Sequence, residues 1–203
     1  MWCKPPPVPR KYILLLVITV GIVALDQWTK YDVVGSLTTR FDGLESTGER
    51  LKAMYGEPPP LGVDGRHFRS KRSVEILERF LRLRYEENPG AAWGLFRNLS
   101  PNVRGPLFHL VSLGAVILIG YYFRQLSGTN PAEKWALWGL SLVLGGALGN
   151  YIDRLARGFV VDFLQAHWKD QAYWPSFNVA DMAICVGVGM LILDAFVRKE
   201  KPA

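Results

Sequence analysis

Two aspartates stand where a carboxylate is hard to keep: Asp162 in Val160-Val161-Asp162-Phe163, and Asp181 in Phe177-Asn178-Val179-Ala180-Asp181. Among valines, alanines and phenylalanines a carboxylate loses much of its hydration. It must be paired, hydrogen-bonded or held protonated, and an ionisable group at a membrane edge is a functional candidate by default. If the chain folds back between the two, like charge opposes their simultaneous ionisation and they share one proton. One carboxylate could then take a proton from water while the other protonates a carbonyl oxygen, the division of labour of an aspartic protease.

Other polar residues gather at the ends of apolar runs. Asp26 and Lys30 end the first run, Asn150, Asp153 and Arg154 end the third, and Asn178 opens the fourth. An alternating topology puts those three ends on one membrane face, where they converge. A purely structural alternative also fits: Asp26 and Lys30 form an i,i+4 ion pair at a helix end, Asp153 pairs with Arg154 or Arg157, and Asp162 and Asp181 cap helices. A proton-coupled carrier or channel would use intramembrane carboxylates too, but spread through the bilayer depth. Here Asp194 is the one exception to clustering at an edge.

Other hydrolytic patterns are missing from the sequence: there is no His-Glu-x-x-His, no paired-cysteine metal pattern and no Gly-x-Ser-x-Gly. The three histidines are scattered, and His109, inside an apolar run, reads as a hydrogen-bonded packing residue. Cys3 and Cys185 would lie far apart on most membrane topologies, so no structural disulfide is expected.

The elements that must position these groups follow from composition. Of 203 residues, 49% are hydrophobic, yet the mean hydropathy is only +0.09 because long uncharged runs alternate with a charge-dense segment. The runs 12–29, 105–123, 135–152 and 179–197 predict four transmembrane helices. Lys4, Arg10 and Lys11 before the first run and Arg198, Lys199 and Lys201 after the last place both termini in the cytoplasm. The net charge of +6 is distributed over membrane flanks and one mixed-charge loop, which points to anionic lipid and away from nucleic acid.

Residues 31–87 form an extracytoplasmic loop or subdomain, with ten Lys/Arg and nine Asp/Glu between Tyr31 and Glu86. Pro58-Pro59-Pro60 interrupts it, and the first half is expected to be poorly ordered, with 43–62 dispensable for chemistry. Near its end Leu81, Leu83 and Tyr85 alternate with Arg82, Arg84 and Glu86, the period of a half-buried strand. Asn88-Pro89-Gly90-Ala91-Ala92-Trp93-Gly94 follows, with small residues for close backbone approach. The aromatic stretch 158–176, carrying Trp168, Tyr173 and Trp174, is read as a segment at the membrane interface. The fold class is a mainly α membrane protein: four transmembrane helices with a small extracytoplasmic β-containing subdomain.

In sequence order these stretches resemble the lipoprotein signal peptidase, or signal peptidase II, family of bacterial inner-membrane aspartic proteases. Asp26-Gln27-Trp28-Thr29-Lys30 is similar to its first box and 88–94 to its Asn-x-Gly-Ala-Ala-aromatic-Gly box. Residues 145–163 are similar to its Gly-Gly-Ala-x-Gly-Asn, Asp-Arg and Val-Val-Asp-Phe run, and 177–184 complete the set. The resemblance implies Asp162 and Asp181 as catalytic dyad. It further implies Asn88, Gly90, Asn150, Asp153, Arg154, Asn178 and Ala180 as residues shaping the site, with Asp26 and Lys30 as helpers. It implies cleavage of a prolipoprotein just before a diacylglyceryl-modified cysteine, without metal or cofactor, at the outer face of the inner membrane. Partners are then prolipoprotein substrates and membrane lipids, with no nucleic acid, and the chain is expected to be a monomer. Trp93 stands where phenylalanine is common in the family, and the segment 31–73 is longer than usual.

Overall fold

The helix at the start of the chain does not stop at its charged residues. In α1 (Arg10–Leu37) the helix passes Asp26 and Lys30 and continues two more turns, because Val33, Val34 and Leu37 have an apolar core to enter. Its 28 residues span about 42 Å, well beyond the roughly 30 Å hydrocarbon layer. The helix thus outruns the expected membrane span 12–29: the polar cluster lies inside the helix, and the segment expected to be a loop from residue 31 is helical as far as Leu37. The structure is a computed structural model and describes residues 9–62, 65–90, 95–96, 98–169 and 171–199. Cys3 and the box residues Ala91, Ala92, Trp93 and Gly94 lie outside the described residues.

Beyond α1 come α2 (Thr47–Tyr55), the strands β1 (Val74–Leu77) and β2 (Leu81–Asn88), and α3 (Pro101–Gln125). Then follow α4 (Lys134–Arg157), β3 (Val160–Trp168), β4 (Ala172–Tyr173) and α5 (Val179–Lys199). Among the described residues, α1, α3, α4 with its preceding 3-10 turn, and α5 are long and apolar enough to cross a membrane. In the bundle α4 packs against the other three. It approaches α5 closely through paired glycines. A Cβ built on Gly139 would meet Gly187 O at 2.8 Å, and one on Gly187 would meet Gly139 O at 2.7 Å, so the helix backbones touch where any side chain would separate them. Gly158, at φ 76°, ends α4 in the left-handed conformation and turns the chain directly into β3.

The four strands form one antiparallel sheet in the order β1-β2-β3-β4. The alternation around Leu81 to Glu86 is indeed a strand, β2. Of the stretch read as an interfacial aromatic segment, nine residues form the strand β3, whose first four residues are all buried. Alternation is absent there because Val160 and Val161 both have cover, so the periodicity that marks a half-buried strand never develops.

The charge-dense loop is also more ordered than its composition suggests. Ser46 caps α2, its hydroxyl accepting from Glu49 N (3.1 Å) while the Glu49 carboxylate accepts from Ser46 N (3.1 Å). Met54 is fully buried in a core with Phe41, Phe68, Tyr85, Phe159 and Phe163. Arg157 donates to Met54 O (3.0 Å) and Arg40 to Ala53 O (3.0 Å). A few widely spaced apolar residues, not a run, carry this core. That corrects the expected disorder of the segment's first half.

Candidate active site

Two features of the sheet bring Asp162 toward Asp181. The first is the return after β4: Phe177 pairs with Leu164, N to O at 2.9 and 2.8 Å, so Asn178 and the start of α5 are laid alongside β3. The second is a bulge in β2. Leu83 faces Leu164, but Glu86, not Tyr85, faces Asp162. Without the extra residue, Asn88 would fall on the opposite face of the sheet from Asp162. With it, Asn88 becomes a diagonal neighbour, and its Nδ2 donates to Asp162 Oδ2 (3.0 Å).

Asp162 receives a second hydrogen bond, from Asn178 Nδ2 to Oδ1 (2.7 Å). Asp181 is held by Asn150 Nδ2 (2.8 Å) and by Asn178 N (3.2 Å), while Asn178 Oδ1 accepts from Asp181 N (3.0 Å). That reciprocal pair is a capping box at the start of α5, so one asparagine both begins the helix and ties the two aspartates together. Both carboxylates line a cavity of about 830 Å³ whose apolar side comes from α3 and α5, including Val111, Ala115, Met182 and Ile184. Cys185 lines it as well. Burial first, and then the Asp181 charge, push the Asp162 carboxyl up to about 7.

Behind the aspartates lies a buried ionic cluster. Lys30, fully buried, pairs with Asp26 (2.8 Å) and Asp153 (3.0 Å) and donates to Asn150 Oδ1 (3.1 Å). Asp26 in turn accepts from Ala180 N (3.0 Å), fixing the first turn of α5 to α1. Asp153 also pairs with Arg157 and accepts from Val161 N (3.0 Å). Its cations are thus Lys30 and Arg157, and the alternative pairing with Arg154 is not made. Arg154 instead donates to Gly90 O (3.1 Å) and lies 4.5 Å over the Phe108 ring, and Gly90 N donates to Asn88 Oδ1 (3.0 Å). The eleven residues singled out from sequence, Asp26, Lys30, Asn88, Gly90, Asn150, Asp153, Arg154, Asp162, Asn178, Ala180 and Asp181, are linked in one network of these bonds.

Three members of the surroundings are not among the eleven site residues singled out from sequence. Gln27 donates to Asp26 (3.0 Å), Gly149 O (3.1 Å) and Asp153 (3.0 Å) and accepts from Tyr55 OH (3.0 Å), joining α2 to the cluster. Glu87 accepts from His67 N (2.8 Å), Phe68 N (2.8 Å) and Tyr85 OH (2.9 Å), pinning the enlarged segment to β2. Arg157 joins Asp153 to α2 through Met54 O. Gln27 lies inside the first box, and Arg157 is named from sequence only as a partner for Asp153; Glu87 sits among many charged residues with no distinguishing pattern. His109 packs edge-on against Tyr151 (5.6 Å), but its Nδ1 has no hydrogen-bond partner among the described residues, contrary to expectation. Asp194 pairs with Arg198, thirteen residues along α5 from Asp181. Among the described residues no three His, Cys, Asp or Glu side chains are grouped as metal ligands.

Comparison with known proteins identifies the family. The family model for signal peptidase (SPase) II matches residues 18–197. A lipoprotein signal peptidase from Anaeromyxobacter sp. (strain Fw109-5) is 43% identical over 189 residues, covering 90% of this chain and 84% of the relative. One from Syntrophotalea carbinolica is 46% identical over 121 residues, covering 60% of this chain and 71% of the relative. A solved bacterial membrane enzyme, determined by the in meso method at 2.3 Å, superposes with a TM-score of 0.63 at 27% identity, covering 93% of each chain. With the family matched across nearly all of its length and four helices fit to cross a membrane, this chain belongs to the signal peptidase II family and is a multi-pass membrane protease.

Proposed function

We propose that this chain removes the signal peptide of diacylglyceryl-modified prolipoproteins, cleaving just before the lipidated cysteine, with Asp162 and Asp181 as the catalytic pair. The observation that carries the reading is the meeting of two carboxylates from different elements on one cavity, one walled by apolar helix surface and one edge held by amide donors. The carboxylates share a proton. One takes a proton from water as it attacks the scissile carbonyl, and the other donates to the developing oxyanion. Acid and base roles belong to the dyad and not to one residue.

The asparagines orient the carboxylates. Asn88 and Asn178 aim Asp162 and Asn150 aims Asp181, while Lys30 and Asn178 occupy Asn150 Oδ1 and so keep the Asn150 amide nitrogen turned toward Asp181. The acyl chains of the substrate lie against the apolar walls supplied by α3 and α5 and anchor it without taking part in the chemistry. The protein works in the inner membrane with the dyad at the extracytoplasmic face, both termini cytoplasmic. A carrier or channel is not favoured, because the carboxylates near the cavity gather at one end of the bundle. The test is incubation of the purified protein in detergent with matched lipidated and unlipidated prolipoproteins. Cleavage of the lipidated form alone, leaving the lipidated cysteine at the new N-terminus, is expected. Equal cleavage of both, or none of either, would refute the reading.

A further inference from the structure

Each aspartate of the dyad is held from behind through the residue that precedes it. Asp26 accepts from Ala180 N (3.0 Å), next to Asp181, and Asp153 accepts from Val161 N (3.0 Å), next to Asp162. The spacing of the dyad therefore depends on the spacing of two other carboxylates, one on α1 and one on α4. Those two carboxylates repel each other, and two side chains of α1 bridge them. Lys30 is the first, 2.8 Å from Asp26 and 3.0 Å from Asp153. Gln27 is the second: its Nε2 donates to Asp26 Oδ2 and Asp153 Oδ1, both at 3.0 Å, and to Gly149 O at 3.1 Å. Lys30 and Gln27 reach different oxygens of Asp153, Oδ2 and Oδ1, so together they fix the plane of that carboxylate as well as its distance. The fit is close, since a Cβ on Gly149 would meet Asp26 Oδ2 at 2.7 Å.

An amide can make this bridge in one orientation only. Reversed, it would set its oxygen against two carboxylates and a carbonyl, acceptors with no proton to offer. Tyr55, on α2, donates its hydroxyl to Gln27 Oε1 (3.0 Å) and so favours the orientation in which Nε2 faces inward. An ammonium on a flexible stem bridges two carboxylates as a point charge, whereas a planar amide held at both ends adds direction.

We infer that Gln27 is a positioning residue for the peptidase reaction, setting the separation of Asp162 and Asp181 through Asp153 and Asp26, and that Tyr55 keeps it in register. The inference rests on the peptidase reading. Misplacing reacting groups by about 1 Å costs on the order of a hundredfold in rate, so a frame that sets their spacing acts on turnover without touching substrate. The enlarged segment thereby contributes to turnover through the hydroxyl of one residue, against the expectation that 43–62 is dispensable for chemistry.

The experiment measures kcat and KM for a diacylglyceryl-modified prolipoprotein with the full chain in phosphatidylcholine nanodiscs, well below the melting temperature of each variant. Gln27→Met keeps the length of the side chain and removes both ends of the bridge. It should lower kcat by about tenfold to a hundredfold and leave KM within about twofold, because the lost interaction serves the reacting groups and not substrate binding. Tyr55→Phe should lower kcat by about threefold to tenfold, the worth of one hydrogen bond. In the Gln27→Met background Tyr55→Phe should cost nothing further, which a merely structural role for Tyr55 would not predict. If Gln27→Met does not fold, the kcat and KM of Tyr55→Phe decide, and an unchanged kcat there overturns the inference. Normal kcat in folded Gln27→Met, or a raised KM with kcat unchanged, would overturn it and leave the peptidase reading standing. So would a loss of kcat that disappears on cooling, or losses that multiply in the double variant. No cleavage by the wild type would bring down the peptidase reading, and the inference with it.

Discussion

Replacing Lys30 by methionine tests the buried cluster behind the dyad. Asp26, Lys30, Asp153 and Arg157 form a group of zero net charge in which every member is buried. Methionine fills much of the volume but leaves Asp26 and Asp153 facing each other with one cation, Arg157, on the Asp153 side only. Breaking a buried ion pair from one side costs about 3–5 kcal/mol, a large part of the ~5–15 kcal/mol by which a domain is stable. Lys30→Met should therefore lower the melting temperature in detergent by on the order of 10 °C. It should also reduce turnover at temperatures where the protein stays folded, because Asn150 loses the hydrogen bond from Lys30 that helps to fix its amide.

The charge arithmetic gives a sharper check. Asp153→Asn alone leaves an excess cation, whereas Lys30→Met combined with Asp153→Asn restores neutrality between Asp26 and Arg157. The double variant should be less destabilised than the sum of the singles by about 1–3 kcal/mol, read from a double-mutant cycle of melting curves. If Lys30→Met melted within about 1 °C of the wild type, or if the singles simply added, the cluster would not be the coupled unit described above.

Asp162→Asn and Asp181→Asn should each abolish cleavage of a lipidated prolipoprotein while the protein stays folded, and the double variant should be little worse, since residues acting as one unit are not additive. Near-normal turnover at saturating substrate in either single variant would rule out the two-aspartate mechanism. Because burial and the Asp181 charge push the Asp162 carboxyl up to about 7 from 3.8, the dyad keeps its shared proton through the mildly acidic range, whichever carboxylate carries it, and cleavage should fall as pH rises through about 7, by roughly tenfold per unit. The same shift means that the folded state holds that proton more tightly than the unfolded chain, so its contribution to stability is greatest at low pH and declines between about 4 and 7. A pH–rate profile and a carbon-13 titration of the aspartate carboxyls check the two halves of that statement. Met54→Ala, in the fully buried centre of the subdomain core, should cost about 2–5 kcal/mol, measured by melting. A shift within error would show that α2 contributes little to that core.

The amino-acid sequence by itself determined the parts that depend on local chemistry. Uninterrupted apolar runs can only be satisfied in lipid or in a helical core, so the four long helices were legible, as was the polarity of their ends. Paired carboxylates next to apolar runs marked Asp162 and Asp181 because burial makes such groups expensive wherever they occur. What the tertiary structure decided were the choices that local chemistry leaves balanced. Asp26 and Lys30 look like a helix end until Val33, Val34 and Leu37 are given a core to enter, which takes Phe41, Met54 and Phe68 from far along the chain. Asp153 had three cations within reach in sequence or in space, and the packing of α1 on α4 selected Lys30 and Arg157 over Arg154. The strand at Val160–Trp168 has no alternation to read because both its faces are covered near the site. The placement of Asn88 beside Asp162 rests on a single extra residue in β2, and the hydrophobic pattern does not encode a bulge: with or without it Leu81, Leu83 and Tyr85 read the same, yet its presence decides which face of the sheet Asn88 occupies.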